Sequence, residues 1–339
     1  MLHAAPQQEP ARIAALTKWL ASLGLAADSL APASADASFR RYFRISTPDG
    51  TRIVMDAPPD KEDCRPYLKV AGLLRAAGVH APEVYAENLE SGFLLITDLG
   101  RQTYLDVLNE SNAPELFADA GEALVRWQLA SRPGVLPEYD YATLRREIDL
   151  FPEWYVARHL GLTLSAPQRE VLEKTFRTVI DANLAQSRVF VHRDFMPRNL
   201  MLSTPNPGVI DFQDALFGPV GYDIACLYRD AFISWDEELI LDGTIRYWEK
   251  ARRAGVPVPG DFGDFYRDIE WMALQRHLKV AGIFARINYR DGKPHYLTDT
   301  PRFVHYIRKT CERYTALTPL LRLFDSLKIG DASRAEYRF

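Results

Sequence analysis

Cysteine is scarce in this 339-residue chain: Cys64, Cys226 and Cys311 are far apart and form no CxxC pair. An odd number of isolated thiols excludes a disulfide framework and offers no zinc site, so each is expected to be a buried thiol. The seven histidines show no HExxH or clustered spacing, which removes support for a transition-metal centre. Long apolar runs are also missing. No stretch approaches the roughly eighteen residues that cross a bilayer, and the opening MLHAAPQQEP has neither a basic region nor an apolar one, so a cytoplasmic protein without membrane association is expected. Nor is there a basic excess. With 41 Lys+Arg against 45 Asp+Glu and a net charge of -4, no global field would gather nucleic acid. No internal repeat, low-complexity tract or long charged run is found, and nothing calls for an obligatory protein partner.

What is present describes a folded protein. Hydrophobic residues make up 47% and charged residues 25%, ordinary values for a globular chain, and the length exceeds what one core usually serves, so two lobes are expected. Residues 11 to 25 place Ile13, Leu16, Leu20 and Leu23 at helical spacing. SFRRYFRIST and TRIVMDAPP follow, joined by Pro-Asp-Gly at 48 to 50, which reads as a hairpin. A helix over 61 to 77 keeps Pro66 within its first turn, and strands follow at PEVYAEN and GFLLITDLG. From Thr103 onward the pattern changes to amphipathic helices: 103 to 109, 114 to 131, 141 to 160, 165 to 186, 236 to 254, 261 to 288 and 301 to 326, interrupted by a β-rich island at 189 to 212. The expected class is therefore α+β, with a small antiparallel-sheet lobe over 1–98 and a larger, mainly helical lobe over 99–339.

The island carries the chemistry. VFVHRDFMPRNLML and GVIDFQDA pack His192, Asp194, Asn199 and Asp211 into twenty positions beside residues that read as buried strand. Two short strands, VFVH and GVIDF, are expected to pair, with Asp194 leaving the end of the first and Asp211 emerging from the second. Two carboxylates and an amide oxygen form a hard donor set suited to Mg²⁺ whose remaining positions are filled by phosphate and water.

The spacing of His192-Arg193-Asp194 to Asn199, followed by an apolar strand ending in Asp211, resembles the catalytic and metal loops of the protein-kinase-like superfamily. Asp211 is followed almost at once by GPVGYDIACLYRD, which leaves no room for a peptide-binding activation segment. DFQDALFGPVGYDIA is similar to the aminoglycoside-phosphotransferase-like small-molecule kinases. ASFRRYFRI, RREIDLFPEWYVARHLG and LQRHLKVAGIFAR extend the resemblance over nearly the whole chain, to the bacterial anomeric kinases of N-acetylmuramate and N-acetylglucosamine in cell-wall recycling. That resemblance implies a bilobal protein-kinase-like fold, ATP and Mg²⁺ as cofactors, and an amino sugar as substrate. Asp194 would be the catalytic base, with Asn199 and Asp211 as metal ligands. Adenine would rest on the backbone of Thr97, Asp98 and Leu99, and Asp223, at a helix start, would cap that helix or brace the catalytic loop. His192 is expected to pack against the loop rather than move protons.

Two departures stand out. The strand TRIVMDAPP has Met55 or Asp56 where a phosphate-binding lysine belongs, so the candidates for that contact are Ser38, Arg40, Arg41 and Arg44, with Arg44 favoured. If 39 to 45 is extended, Arg40 and Arg44 share one face. Met196 stands where HRDLK has its lysine, and Arg198 either supplies that charge or faces solvent. For the substrate, Asp214 lies three residues beyond Asp211, and Arg145, Glu147, Gln275, Arg276 and Lys279 are candidates to bind sugar hydroxyls or a lactyl carboxylate. Residues 99 to 339 carry 31 basic against 33 acidic groups, which disfavours a polycationic antibiotic. A kinase for another sugar, an aminoglycoside or an alcohol, and a non-catalytic nucleotide-binding module, are the alternatives.

Overall fold

The computed structural model describes residues 8–35 and 39–330. They form two compact units, one comprising the described residues up to Leu108 together with Arg198–Asp214, the other Asn109–Pro197 and the described residues from Ala215 onward. The first unit thus extends past the expected boundary at 98/99 and takes in the hairpin that carries Asn199 and Asp211.

In the first unit, α1 (Gln8–Ser22) precedes a five-stranded antiparallel sheet of β1 (Ala31–Ala35), β2 (Arg41–Thr47), β3 (Gly50–Asp56), β4 (Val84–Asn88) and β5 (Phe93–Thr97), in spatial order β1-β2-β3-β5-β4. Strand alternation fixes which residues meet α1: Ile45, Val54, Phe93 and Leu95 form a core with Leu16 and Leu20, and Phe43 packs at its edge. Tyr42 and Arg44 take the opposite face. The turn between β2 and β3 pairs Thr47 with Gly50, and Gly50 supplies the positive φ of 119° that the turn needs. Helix α2 (Arg65–Ala76) carries Pro66 in its first turn, as its missing N–H requires.

The hairpin is β7 (Leu200–Met201) with β8 (Gly208–Val209). This corrects the expected pairing of VFVH with GVIDF. Strand β6 (Arg188–Val191) pairs instead with β9 (Leu216–Pro219) in the second unit, a strand the sequence pattern had not shown. Residues 202 to 207, with two prolines, are short enough to bring GV back against its own neighbour LM, so the local partner wins. A hydrogen bond from Val209 N to the His80 carbonyl at 2.7 Å and the tilted contact of Phe212 with Tyr67, 4.8 Å between ring centroids, fix the hairpin within its unit.

The second unit is helical: α4 (Ala113–Leu129), α5 (Tyr141–Ile148), α6 (Ala166–Leu184), α7 (Tyr222–Tyr228), α8 (Glu237–Ala254), α9 (Phe262–Asp291), α10 (Thr300–Arg313) and α11 (Thr318–Ser326); a short α3 (Tyr104–Val107) closes the first unit. The helix expected over 141 to 160 is broken: Phe151–His159 winds as a π-helix, since Pro152 has no N–H to continue the ladder. Helix α9 runs through this unit, and Gly282 lets it touch that break, because a Cβ there would lie 2.4 Å from the Leu150 carbonyl carbon. Cys64, Cys226 and Cys311 are buried free thiols, as expected. Among the described residues no helix is long and apolar enough to cross a membrane.

Candidate active site

The loop carrying Asp194 leaves β6 in the second unit and is held from below by α7. Asp223 accepts hydrogen bonds from the backbone N–H groups of His192, at 2.7 Å, and Arg193, at 3.0 Å. The N-cap position of α7 is Gly221, so of the two roles expected for Asp223 it is the bracing one that the structure gives. Burial pushes its carboxyl up to about 7, against the pull of those two donors. Arg193 has a φ of 79°, a left-handed conformation that costs a side chain on the order of 1–3 kcal/mol and persists only where the surroundings impose it. They do: its N–H is on Asp223, its carbonyl accepts from the Cys226 thiol at 3.3 Å, and its guanidinium pairs with Glu147. Burial holds the Cys226 thiol well above its ordinary pKa, so it keeps the proton it donates. His192 is 1% exposed and accepts the Asp194 N–H on Nδ1 at 3.3 Å, which makes it a structural partner of the loop. Asp223→Asn keeps one acceptor and turns an amide N–H toward the other backbone donor. It is expected to lose about 1–3 kcal/mol of stability, read as a lower urea midpoint with an unchanged slope.

Several residues expected to touch substrate lie in a network around this loop. Glu147 is buried, bonded to Arg193 and the Tyr139 hydroxyl, with Lys279 Nζ at 3.1 Å and Gln275 Nε2 at 3.4 Å. Lys279 also reaches the Tyr222 hydroxyl at 3.2 Å. These groups, expected to contact the sugar, are turned inward onto one another in a buried ionic network that anchors Arg193. Arg276, also buried, lies against the Met196 thioether at 3.4 Å. Arg145 lies apart from this network. It faces Asp149 at 2.8 Å and Glu173 at 2.7 Å on the surface of its unit, because its position on α5 is two residues from the inward-facing Glu147 and so on another side of the helix.

Asn199 and Asp211 belong to the first unit. Asn199 and Asp211 are brought together, with the Asn199 amide nitrogen 3.4 Å from a carboxylate oxygen of Asp211 and Gln213 bonding the other oxygen at 2.9 Å. The backbone bond from Ile210 N to the Asn199 carbonyl, 3.1 Å, ties the two segments. Asp211 has a φ of 62°, a conformation that Asp tolerates better than most side chains. Among the described residues no three His, Cys, Asp or Glu side chains could hold a metal ion. The amide oxygen of Asn199 and the carboxylate of Asp211 are hard donors, which fit a cation such as Mg²⁺ that completes its shell with phosphate and water. Asp214 is exposed at the end of this segment, and Arg198 is half-buried in the turn before Asn199.

Of the nucleotide contacts expected, Ser38 lies outside the described residues. The Thr97 N–H is already bonded to the Glu83 carbonyl at 2.9 Å. Asp98 accepts from Arg44, Thr51 and the Gly100 N–H, and Leu99 is buried. Arg44, the favoured phosphate cation, is bound to Asp98 at 2.5 and 2.9 Å and to the Gly100 carbonyl at 2.7 Å; its strand position aims it at the crossing segment. Arg40 pairs with Glu62 at 2.8 Å. Residues around the loop that were overlooked in the sequence are Arg193, Tyr139, Tyr222 and Cys226. Arg193 was legible from its place inside the His-Arg-Asp triplet, whereas the others act through distant partners that no local pattern announces.

The sequence pattern of the phosphotransferase enzyme family matches residues 29–257, more than half of the chain. A Pseudomonas aeruginosa protein named N-acetylmuramate/N-acetylglucosamine kinase is 57% identical over 301 residues, covering 89% of each chain. A protein of the same name from Neisseria meningitidis serogroup B is 51% identical over 322 residues, 93% of this chain and 96% of the other. Solved structures share the fold at low identity. A choline/ethanolamine kinase family protein from Mesorhizobium loti has a TM-score of 0.63 at 16% identity, with 93% of this chain and 99% of that one covered. An amicoumacin kinase in complex with AMP-PNP and Ca²⁺ has a TM-score of 0.61 at 15% identity, with coverage of 89% and 96%. The chain belongs to the phosphotransferase enzyme family. Its α+β fold is that of the protein-kinase-like small-molecule kinases, and it is an enzyme.

Proposed function

We propose that the chain transfers the γ-phosphoryl group of ATP to the anomeric hydroxyl of N-acetylmuramate and N-acetylglucosamine, a cytoplasmic step in the reuse of cell-wall sugars. The observation that carries this reading is identity of 57% and 51%, over most of each chain, to relatives named for kinase activity on those two sugars. In the proposed reaction Asp194 orients the O1 hydroxyl and takes its proton as O1 bonds to the γ-phosphorus, and the bond from that phosphorus to the β,γ-bridging oxygen breaks to release ADP. An anomeric hydroxyl is more acidic than an ordinary alcohol because the ring oxygen withdraws electrons, so a carboxylate is an adequate base. Asn199 would give an amide oxygen and Asp211 a carboxylate oxygen to Mg²⁺, which when bound neutralises charge on the triphosphate. The strained, triply anchored Arg193 keeps the backbone beside Asp194 in one conformation, which supports a positioning mechanism. Asp214 and Arg276 are the proposed sugar-side groups, one exposed beyond the hairpin and the other beneath Met196.

The test offers Mg-ATP with N-acetylmuramate, N-acetylglucosamine, glucose, choline and an aminoglycoside, and locates the new ester by phosphorus NMR. Expected is a phosphate coupled to the anomeric proton for the two N-acetylated sugars. An ester on C6 removes the anomeric assignment, and turnover confined to choline or the aminoglycoside removes the amino-sugar reading.

A further inference from the structure

Around α9, Arg193 pairs with Glu147, Arg229 with Glu237 at 3.1 Å, Arg290 with Asp291 at 2.7 Å and Arg302 with Asp299 at 3.4 Å. Arg286 differs. It is half-buried on the last turns of α9, its Nε is buried without a hydrogen-bond partner, and its side chain makes no hydrogen bond or ion pair with any described residue. Of the acids near it, Asp291 is taken by Arg290, and Glu153 is exposed on the π-helix. Burial and the charge of Arg290 both oppose its ionisation, yet a guanidinium keeps its proton. A charge drawn half out of water without a counter-ion is unfavourable, and an anion brought by a ligand would offset that cost.

Helix register shows where such a ligand would lie. Gln275, Lys279 and Arg286 recur at intervals of four and seven residues, which puts them on one face of α9. Gln275 and Lys279 reach Glu147, at 3.4 and 3.1 Å, and Glu147 holds Arg193, the residue before Asp194. Arg286 follows Lys279 by seven residues, about 10 Å along the axis, a span that a hexose bearing a lactyl ether bridges. The π-helix flanks the same stretch, since Gly282 closes on the Leu150 carbonyl and His159 Nδ1 lies 3.3 Å from the Tyr289 hydroxyl. Arg286 falls between those two contacts, and π-helical turns are frequent at functional sites.

Resting on the kinase reading above, we propose that Arg286 binds the lactyl carboxylate of N-acetylmuramate, the charged group that distinguishes it from N-acetylglucosamine, and so sets the balance between the two sugars. A guanidinium meets a carboxylate through two parallel hydrogen bonds, which gives orientation as well as energy. N-acetylglucosamine leaves the guanidinium to water, so one site serves both sugars. Arg286 is apart from the groups that move the proton or hold the metal, and its removal acts on the binding of one substrate rather than on the transfer step.

The experiment measures ADP release by the full-length protein at saturating Mg-ATP with N-acetylmuramate, its uncharged lactyl carboxamide and N-acetylglucosamine, for the wild type, Arg286→Met, Arg286→Gln and Arg286→Lys. Loss of the guanidinium should raise KM for N-acetylmuramate by about 10–100-fold, the scale of a charge-assisted contact, and leave kcat and the KM for N-acetylglucosamine unchanged. Arg286→Lys should recover part of the loss. In the wild type, the carboxamide should show the raised KM that N-acetylmuramate shows with Arg286→Met. Circular dichroism identifies variants that fold, and Arg286→Gln replaces Arg286→Met if the latter does not. An unchanged preference between the two sugars in a folded variant overturns the inference alone, as does a wild type that phosphorylates N-acetylglucosamine but not N-acetylmuramate. Wild-type protein that phosphorylates neither sugar overturns the proposed function and this inference with it.

Discussion

Asp194→Asn is expected to lower turnover about 10³-fold, within the range that a positioned general base supplies, while Mg-ATP binds as in the wild type. The amide has nearly the shape of the carboxylate, and the loop is held by contacts that do not need the Asp194 side chain: Asp223 on two backbone N–H groups and Glu147 on Arg193. What is lost is a proton acceptor. Asp211→Ala should give the converse result. Its carboxylate sits with Asn199 on the hairpin, so the Mg²⁺-dependent gain in nucleotide affinity should disappear while metal-free nucleotide affinity stays as it was. Calorimetry with and without Mg²⁺, beside a coupled assay for ADP, separates the two. Undiminished turnover in either variant refutes the role given to that residue, and loss of nucleotide binding in Asp194→Asn would show that Asp194 acts on the nucleotide rather than on the acceptor.

The parts of this protein that were legible in the sequence are those where a local pattern has a local cause. Pro-Asp-Gly marked the β2–β3 turn because only a short connection with a free φ closes it, and Asp194, Asn199 and Asp211 stood out because charged and amide groups rarely interrupt strand-like sequence. The pairing of β6 was misread because strand partners are chosen by sterics over long range: Val191 meets Leu216, and nothing in VFVH distinguishes that partner from GVIDF. The surroundings of the residues expected to bind the sugar were hidden for a related reason. Glu147, Gln275 and Lys279 have the side chains that bind sugars, but the same groups also close a buried network, and helical spacing does not tell an inward face toward ligand from one toward another helix. Strand alternation, which put Arg40 and Arg44 on one face in the sequence reading, could not show that Arg44 is bound to Asp98.

That buried network sets the second large effect. Glu147→Ala would leave Lys279 and Arg193 without the anion they share, and removing one partner of a buried pair costs about 3–5 kcal/mol because the remaining charge is stranded. The wild type should show the same energy in its pH dependence. Burial alone would raise the Glu147 carboxyl, but Lys279, Arg193 and the Tyr139 hydroxyl outweigh it and bring it to about 2. A folded-state pKa below the unfolded value of roughly 4.3 contributes stability that is complete above the unfolded value and lost as pH falls toward 2. The wild type should therefore exceed Glu147→Gln in urea midpoint at pH 7, and the gap should narrow between pH 5 and 3. A gap that stays constant over that interval would mean that Glu147 contributes shape rather than charge. Because Arg193 hangs from Glu147 and adjoins Asp194, folded Glu147→Gln should also lose turnover while keeping its affinity for Mg-ATP. Equal losses in both would place the network under the nucleotide and not under the catalytic loop.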